Sequence, residues 1–205
     1  MDFVAIDFET ANASPTSACE LGLAVVRNYK VVESHSWLIK PPDMYFNVHH
    51  TRIHGITAGD MDGVPTFDLL WTDIRDYFKD DLIVAHNADF DINVLRNLLQ
   101  HYQLPFDNYS YTCSIKLARR AFNGMLSYGL KNLSKELGIH LDHHKAESDA
   151  TACAMIASKA FQTYKVTGAH EMPLLMNVTP NQIKTIAPPR ARLKPRRERW
   201  RDFRF

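Results

Sequence analysis

Long apolar runs are missing from this 205-residue chain: stretches such as Leu23 to Val26 fall far short of the ~20 residues that cross a bilayer. The opening Met1-Asp2-Phe3 lacks the basic-then-apolar order of a secretory signal, so a membrane or secreted protein is disfavoured. Cysteine is scarce and odd in number (Cys19, Cys113, Cys153), with no C-x-x-C spacing. Neither a disulfide framework nor a thiolate zinc site is suggested, and each cysteine is expected as a small buried hydrophobe in a reducing cytoplasm. The eight glycines form no phosphate-cradling loop. Ser148 lies between His144 and Asp149, but no G-x-S-x-G elbow accompanies it, which disfavours a serine hydrolase.

What remains is 45% apolar, 23% charged and 11% aromatic, the balance of an ordinary globular chain, and the length fits one domain plus an appendage. The formal net charge of +1 conceals an asymmetry. Residues 184–205 carry nine basic side chains against Glu198 and Asp202, or +7, leaving 15 basic against 21 acidic elsewhere, or −6. An acidic body that handles a polyanion needs metal ions or a basic attachment at the point of contact. Both are available here.

Phe3 to Phe8 is a short apolar run of strand formers and is predicted to be a buried first strand. Runs from Leu21 to Val26 and Val31 to Ile39, joined around Asn28-Tyr29, predict a hairpin. A loop-like segment is expected from Pro41-Pro42 to Pro65. The period then changes. Phe67, Leu70, Trp71, Ile74 and Phe78 share a helical face with Thr66 as its cap, Leu82 to Ala85 is a strand, and Phe90 to Tyr102 a second helix. A last strand is expected near Tyr109 to Thr112, followed by helices at 114–121, 130–137 and 146–164. Three strands followed by alternating strands and helices imply an α/β fold, a mixed and about five-stranded sheet flanked by helices.

Asp7 and Glu9 flank Phe8 at the end of the buried strand, and positions two apart share a face. Charge there is costly unless it is paired or bound to a cation. His86-Asn87-Ala88-Asp89-Phe90-Asp91 places two more acids at a strand-to-helix junction, Asp89 suiting a helix N-cap. His143-His144-Lys145-Ala146-Glu147-Ser148-Asp149 opens the long apolar helix. Each cluster alone is better explained by capping or solvation. Together they offer an all-oxygen ligand set that selects two Mg²⁺ or Mn²⁺ over zinc. Two such ions ~4 Å apart can hold the attacking and leaving oxygens of an in-line displacement at phosphorus, with a histidine accepting a proton from water. That chemistry is phosphodiester hydrolysis. A rival transition-metal site at His49, His50 and His54 lacks a completing cysteine or acid.

Asp7-Phe8-Glu9-Thr10, His86-Asn87-Ala88-x-Phe90-Asp91 and His144-x-x-x-x-Asp149, in this order, resemble the three motifs of the DEDDh, DnaQ-like 3′-5′ exonucleases. Cys19-Glu20-Leu21-Gly22 and Ile53-His54-Gly55-Ile56-Thr57 are similar to segments of the same family, and the likeness spans residues 2 to 165. It implies a ribonuclease H-like fold, with Asp7, Glu9, Asp91 and Asp149 as metal ligands and His144 as general base. It also implies that backbone at Thr10 and Ala11 meets the terminal nucleotide, with His54 near it. The spacing leaves Asp89 in the variable position and selects His144 over His143. A tyrosine in place of that histidine marks a sister group.

The expected function is therefore release of nucleoside monophosphates from the 3′ end of DNA or RNA, with a polymerase or repair complex as partner and a homodimer as the default assembly. The competing reading is a non-catalytic nucleic-acid-binding module on the same fold. The expected domain covers 1–165, with 166–205 a basic extension. Pro173, Pro180, Pro188, Pro189 and Pro195 make long helices unexpected there. Trp200, Phe203 and Phe205 alternate with arginines, a mixture that stacks on bases while neutralising phosphates. A solvated tail is the plainer alternative.

Overall fold

The computed structural model describes residues 1–79, 82–106 and 108–183. Its centre is a six-stranded sheet, one strand more than expected, in the order β3-β2-β1-β4-β5-β6. The strands are β1 (Phe3–Thr10), β2 (Ala18–Arg27), β3 (Lys30–Leu38), β4 (Leu82–Ala85), β5 (Tyr109–Cys113) and β6 (Asn181–Ile183). β1, β4 and β5 run parallel, while the β1–β2, β2–β3 and β5–β6 pairs are antiparallel. The extra strand has three residues, too few for a period-two pattern, and it pairs through backbone bonds with Tyr109 to Tyr111. Between them lie α1 (Val48–His54), α2 (Phe67–Ile74), α3 (Asp89–His101), α4 (Ser114–Ala121), α5 (Leu130–Glu136), α6 (Ala146–Thr163) and α7 (Met172–Met176).

Alternation along β1 divides the core. Val4, Ile6 and Phe8 face one way, with Leu21, Leu23, Trp71, Ile74, Leu95 and Leu99. Phe3 and Ala5 face the other, against Ala150, Cys153, Ala157 and Phe161 of α6 and Leu117 of α4. Positions 7 and 9 continue the second face, so the strand's pleat aims Asp7 and Glu9 at the side that α6 covers. The buried side of α6 is rich in alanine, which brings its backbone close to the sheet. Closest is Gly22, opposite Asp7, where an added Cβ would stand 1.9 Å from the Ala146 carbonyl oxygen.

The hairpin turns as expected, with Asn28 at φ 49 and Tyr29 at φ 63 giving the right-handed twist of a primed turn. The expected loop from 41 to 65 instead contains α1 and a 3-10 turn at Ala58–Met61. Its Val-His-His-Thr-Arg sequence carries no apolar stripe, and the helix is held by its caps: Asn47 accepts the His49 N–H, and Gly55 turns left-handed at φ 82. Neither Thr66 nor Asp89 makes a side-chain capping bond. The Thr66 hydroxyl is spent on Asp68. Asp89 is already the first helical residue, because Asn87 at φ 63 turns the chain and its carbonyl accepts the Phe90 N–H.

Cys19 and Cys153 are buried, whereas Cys113 is partly exposed. Residues 166–183 pack Val166, Met172, Met176 and Val178 into the second core face. The arginine-rich stretch 184–205, with Trp200, Phe203 and Phe205, lies outside the described residues. Among the described residues no helix is long and apolar enough to cross a membrane.

Candidate active site

β1 extends past the end of β4. Their ladder closes at Ile6 and Ala85, so the last residues of β1 stand beyond the carboxyl end of the parallel pair, where open α/β sheets receive ligands. α3 begins at that point and returns Asp91 to the strand. Its Oδ1 accepts the Phe8 N–H at 2.9 Å, and the side chain is 1% exposed. From the opposite face, α6 delivers Asp149. Carboxylate oxygens of Asp7, Glu9 and Asp149 all lie within 4.8 Å of one another, with Asp91 pinned beside them.

Four acids in so small a space cannot all be ionised unless a cation joins them. Burial, followed by repulsion from Asp91, Asp149, Glu9 and Glu20, holds Asp7 well above the usual carboxylate range. Glu9 is pushed to about 8, by burial first and then by Asp149, Glu20 and Asp91. Asp91 is raised to about 7 by burial, although the Phe8 N–H opposes the shift. Asp149 is raised by burial, against the pull of His143. Its Oδ1 is buried with no hydrogen-bond partner. An orphaned acceptor among repelling hard oxygens is what a divalent cation satisfies, so the set fits Mg²⁺ or Mn²⁺.

His144 sits at φ 69, a left-handed conformation that lets its backbone N–H reach Asp149 Oδ2 at 3.1 Å. Burial pushes its imidazole below the ordinary histidine value, as does its neighbour His143, whose ring stacks on it with centroids 3.8 Å apart. His143, not His144, meets Asp149 through its side chain: Nδ1 donates to Oδ2 at 2.9 Å. Spacing alone did not expose that contact, since consecutive histidines in a turn point wherever the backbone sends them. Glu20 was likewise missed as a member of the site. It stands opposite Glu9 across the ladder, and its Oε2 accepts the Ala146 N–H at 3.5 Å. The signal was present in its strand register.

His86 is an ordinary strand-end histidine, bonded to the Ser114 hydroxyl at 2.7 Å and held neutral by burial with its pKa near about 4. Thr10, Ala11 and His54 are buried at the end of β1. His54 accepts the Ile56 N–H on Nδ1 and so carries its proton on Nε2, which donates to the Thr10 carbonyl at 3.3 Å. His50 reaches the same carbonyl at 3.0 Å. These histidines clamp the backbone, and the two candidate ligand clusters among the described residues do not include them. The Ala11 N–H and carbonyl are bonded to Ser17 and Asn47.

The exonuclease family model matches residues 4–157. The chain belongs to the exonuclease family. Within it, the motifs and sheet are those of the DEDDh, DnaQ-like members with a ribonuclease H-like fold. The exonuclease domain is 29% identical over 164 residues to the DNA polymerase III subunit epsilon of Aquifex aeolicus (strain VF5), covering 78% of this chain and 80% of that one. It is 26% identical over 166 residues to the 3′-5′ exonuclease DinG of Staphylococcus haemolyticus (strain JCSC1435), covering 80% of this chain and 18% of that much longer protein. In structure it is similar to exonuclease X in complex with 5′ overhanging duplex DNA, with a TM-score of 0.66 and 26% identity over 85% of this chain and 96% of that one. DEDDh exonucleases generally use two divalent metal ions.

Proposed function

We propose that this exonuclease domain hydrolyses nucleic acid from the 3′ end and releases nucleoside 5′-monophosphates. The convergence of Asp7, Glu9 and Asp149 carries this reading, with Asp91 fixed alongside. Asp7, Glu9, Asp91 and Asp149 are the residues that would hold two Mg²⁺ or Mn²⁺. Ions held there would supply the positive charge that neutralises the acids and offsets the charge developing on the phosphate oxygens.

The protein's own groups do the rest. Asp149 receives the His144 N–H and fixes the turn that carries His144 at the start of α6, from which its imidazole serves the water that attacks phosphorus. The neutral imidazole accepts a proton from that water. As the new oxygen–phosphorus bond forms, the bond to the 3′ oxygen of the penultimate nucleotide breaks, and that oxygen takes its proton from solvent. Thr10, Ala11 and His54 support the terminal nucleotide's seat from beneath through the clamped end of β1. Of the extension 166–205, residues 166–183 pack on the domain, and residues 184–205 carry the basic side chains that add polyanion affinity; the partner is a polymerase or repair complex.

The test is an end-labelled panel of single- and double-stranded DNA and RNA, incubated with Mg²⁺, Mn²⁺ or a chelator. Stepwise shortening from the 3′ end that needs metal and is lost in Asp7→Ala supports the reading. Release that persists unchanged in Asp7→Ala overturns it in favour of a contaminating nuclease acting on a binding module.

A further inference from the structure

Cationic side chains are unevenly spread over this acidic domain. Between Ser114 and Lys145 there are six (Lys116, Arg119, Arg120, Lys131, Lys135, Lys145) against Glu136 and Asp142. The rest of residues 1–183 holds nine basic against 19 acidic side chains. This basic segment contains α4 and α5 and runs directly into the turn that carries His143 and His144.

Along α5 lies an open groove of about 700 Å³ that ends at His143. Its floor is apolar, from Leu130 and Ile139, and its edge carries Lys131 and Lys135. Both lysines are exposed, and neither is in an ion pair among the described residues. Four positions apart, they project from one face of the helix, separated by a rise of about 6 Å. His143 at the groove's end touches Asp149 at 2.9 Å. The groove is thus continuous with the carboxylate cluster.

We propose that the α5 groove holds the backbone of the scissile strand on the 5′ side of the bond that is cut, Lys131 and Lys135 meeting successive phosphates while sugars lie over Leu130 and Ile139. The inference rests on the exonuclease reading and adds where the rest of the strand goes. A polyanion approaching a cluster of acids is repelled, and the cationic edge of the α5 groove offsets that repulsion along a path that reaches His143.

The test compares the protein with a Lys131→Gln, Lys135→Gln double variant on two substrates. One is a dinucleotide, whose only phosphodiester is the scissile one; the other is a single strand long enough to run through the groove. Losing two phosphate contacts lowers the slope of log affinity against log salt by about 1.4 for a single strand, and weakens binding on the order of tenfold near 0.1 M salt. The expected result is that loss in KM for the long strand, with kcat and the dinucleotide unchanged. Strand binding by fluorescence anisotropy in chelator reads the same slope without any turnover, so it separates failure of the groove from failure of the exonuclease reading. An unchanged slope overturns the proposal, and so do equal losses on both substrates. A loss confined to duplex overturns it as well, since the groove would then hold the complementary strand.

Discussion

Gly22 faces Asp7 across the β1–β2 ladder, and it is the absence of a side chain at Gly22 that lets the Ala146 carbonyl rest on the sheet. The placing of Asp149 depends on that approach, because it lies one turn further along the same helix. The contact also joins both sides of the site: Ala146 N–H reaches Glu20, and Glu147 reaches Ser34 of β3.

Gly22→Ala therefore lifts the start of α6 away from Asp7. Overpacking of this kind costs about 1–3 kcal/mol, and a displacement near 1 Å at reacting groups costs on the order of 10² in rate. Thermal melts and kcat/KM measured together check this. Full activity with an unchanged melting temperature would show that α6 does not need Gly22.

Asp7→Asn replaces a carboxyl whose ionisation the metal-free fold opposes with an amide of the same shape that carries no charge. Turnover is expected to be nearly abolished, while the metal-free protein melts at a higher temperature than the unsubstituted one. Both follow from the same cause, since burial and the acidic neighbours oppose ionisation of Asp7. A lower melting temperature in chelator would contradict the electrostatic account.

The pH dependence of metal-free stability has a defined sign. Glu9 rises from about 4.5 to about 8 on folding, so its contribution is present at low pH and is lost as pH climbs toward 8. Asp91, raised to about 7, acts in the same direction. His86 opposes them only lower down: depressed from 6.5 to about 4, it costs stability as pH falls below 6.5. Between pH 6.5 and 8 the acids dominate, and the melting temperature in chelator should fall. Cations compete with protons for these oxygens, so the rise in melting temperature on adding Mg²⁺ or Mn²⁺ should be larger at pH 8 than at pH 6.5. A metal effect independent of pH would place the ions elsewhere.

His144→Ala should lower the rate by roughly 10² to 10⁴, the worth of a positioned proton acceptor, with metal affinity largely kept. His143→Ala removes the stacked ring and the bond to Asp149 and should cost less, because the His144 backbone still holds Asp149 Oδ2. Rates and Mn²⁺ titrations on both variants decide it; the reverse order would assign the proton transfer to His143.

Deleting residues 188–205 removes most of the +7 cluster and should weaken substrate affinity and flatten its salt dependence. Anisotropy across a salt series measures this, and an unaltered slope leaves the tail no part in binding.

Much of the architecture was readable from local pattern. The buried run of β1 set the alternation that puts residues 3, 5, 7 and 9 on one face, and Asn28-Tyr29 marked the hairpin because a two-residue turn there needs positive φ. Three acid-bearing motifs singled out the acids that the fold brings together, since carboxylates at element ends beside a buried strand are costly unless compensated. Short elements escaped: α1 has no stripe and β6 only three residues, so their existence depends on caps and on a neighbouring strand's free backbone. Which helix meets the acidic face was also beyond local pattern. Asp91 bonding to Phe8, His143 to Asp149 and Ala146 resting on Gly22 are contacts between distant or independently turning segments. Their geometry comes from how closely packed layers can approach, a property of the assembled core that no stretch of chain carries alone.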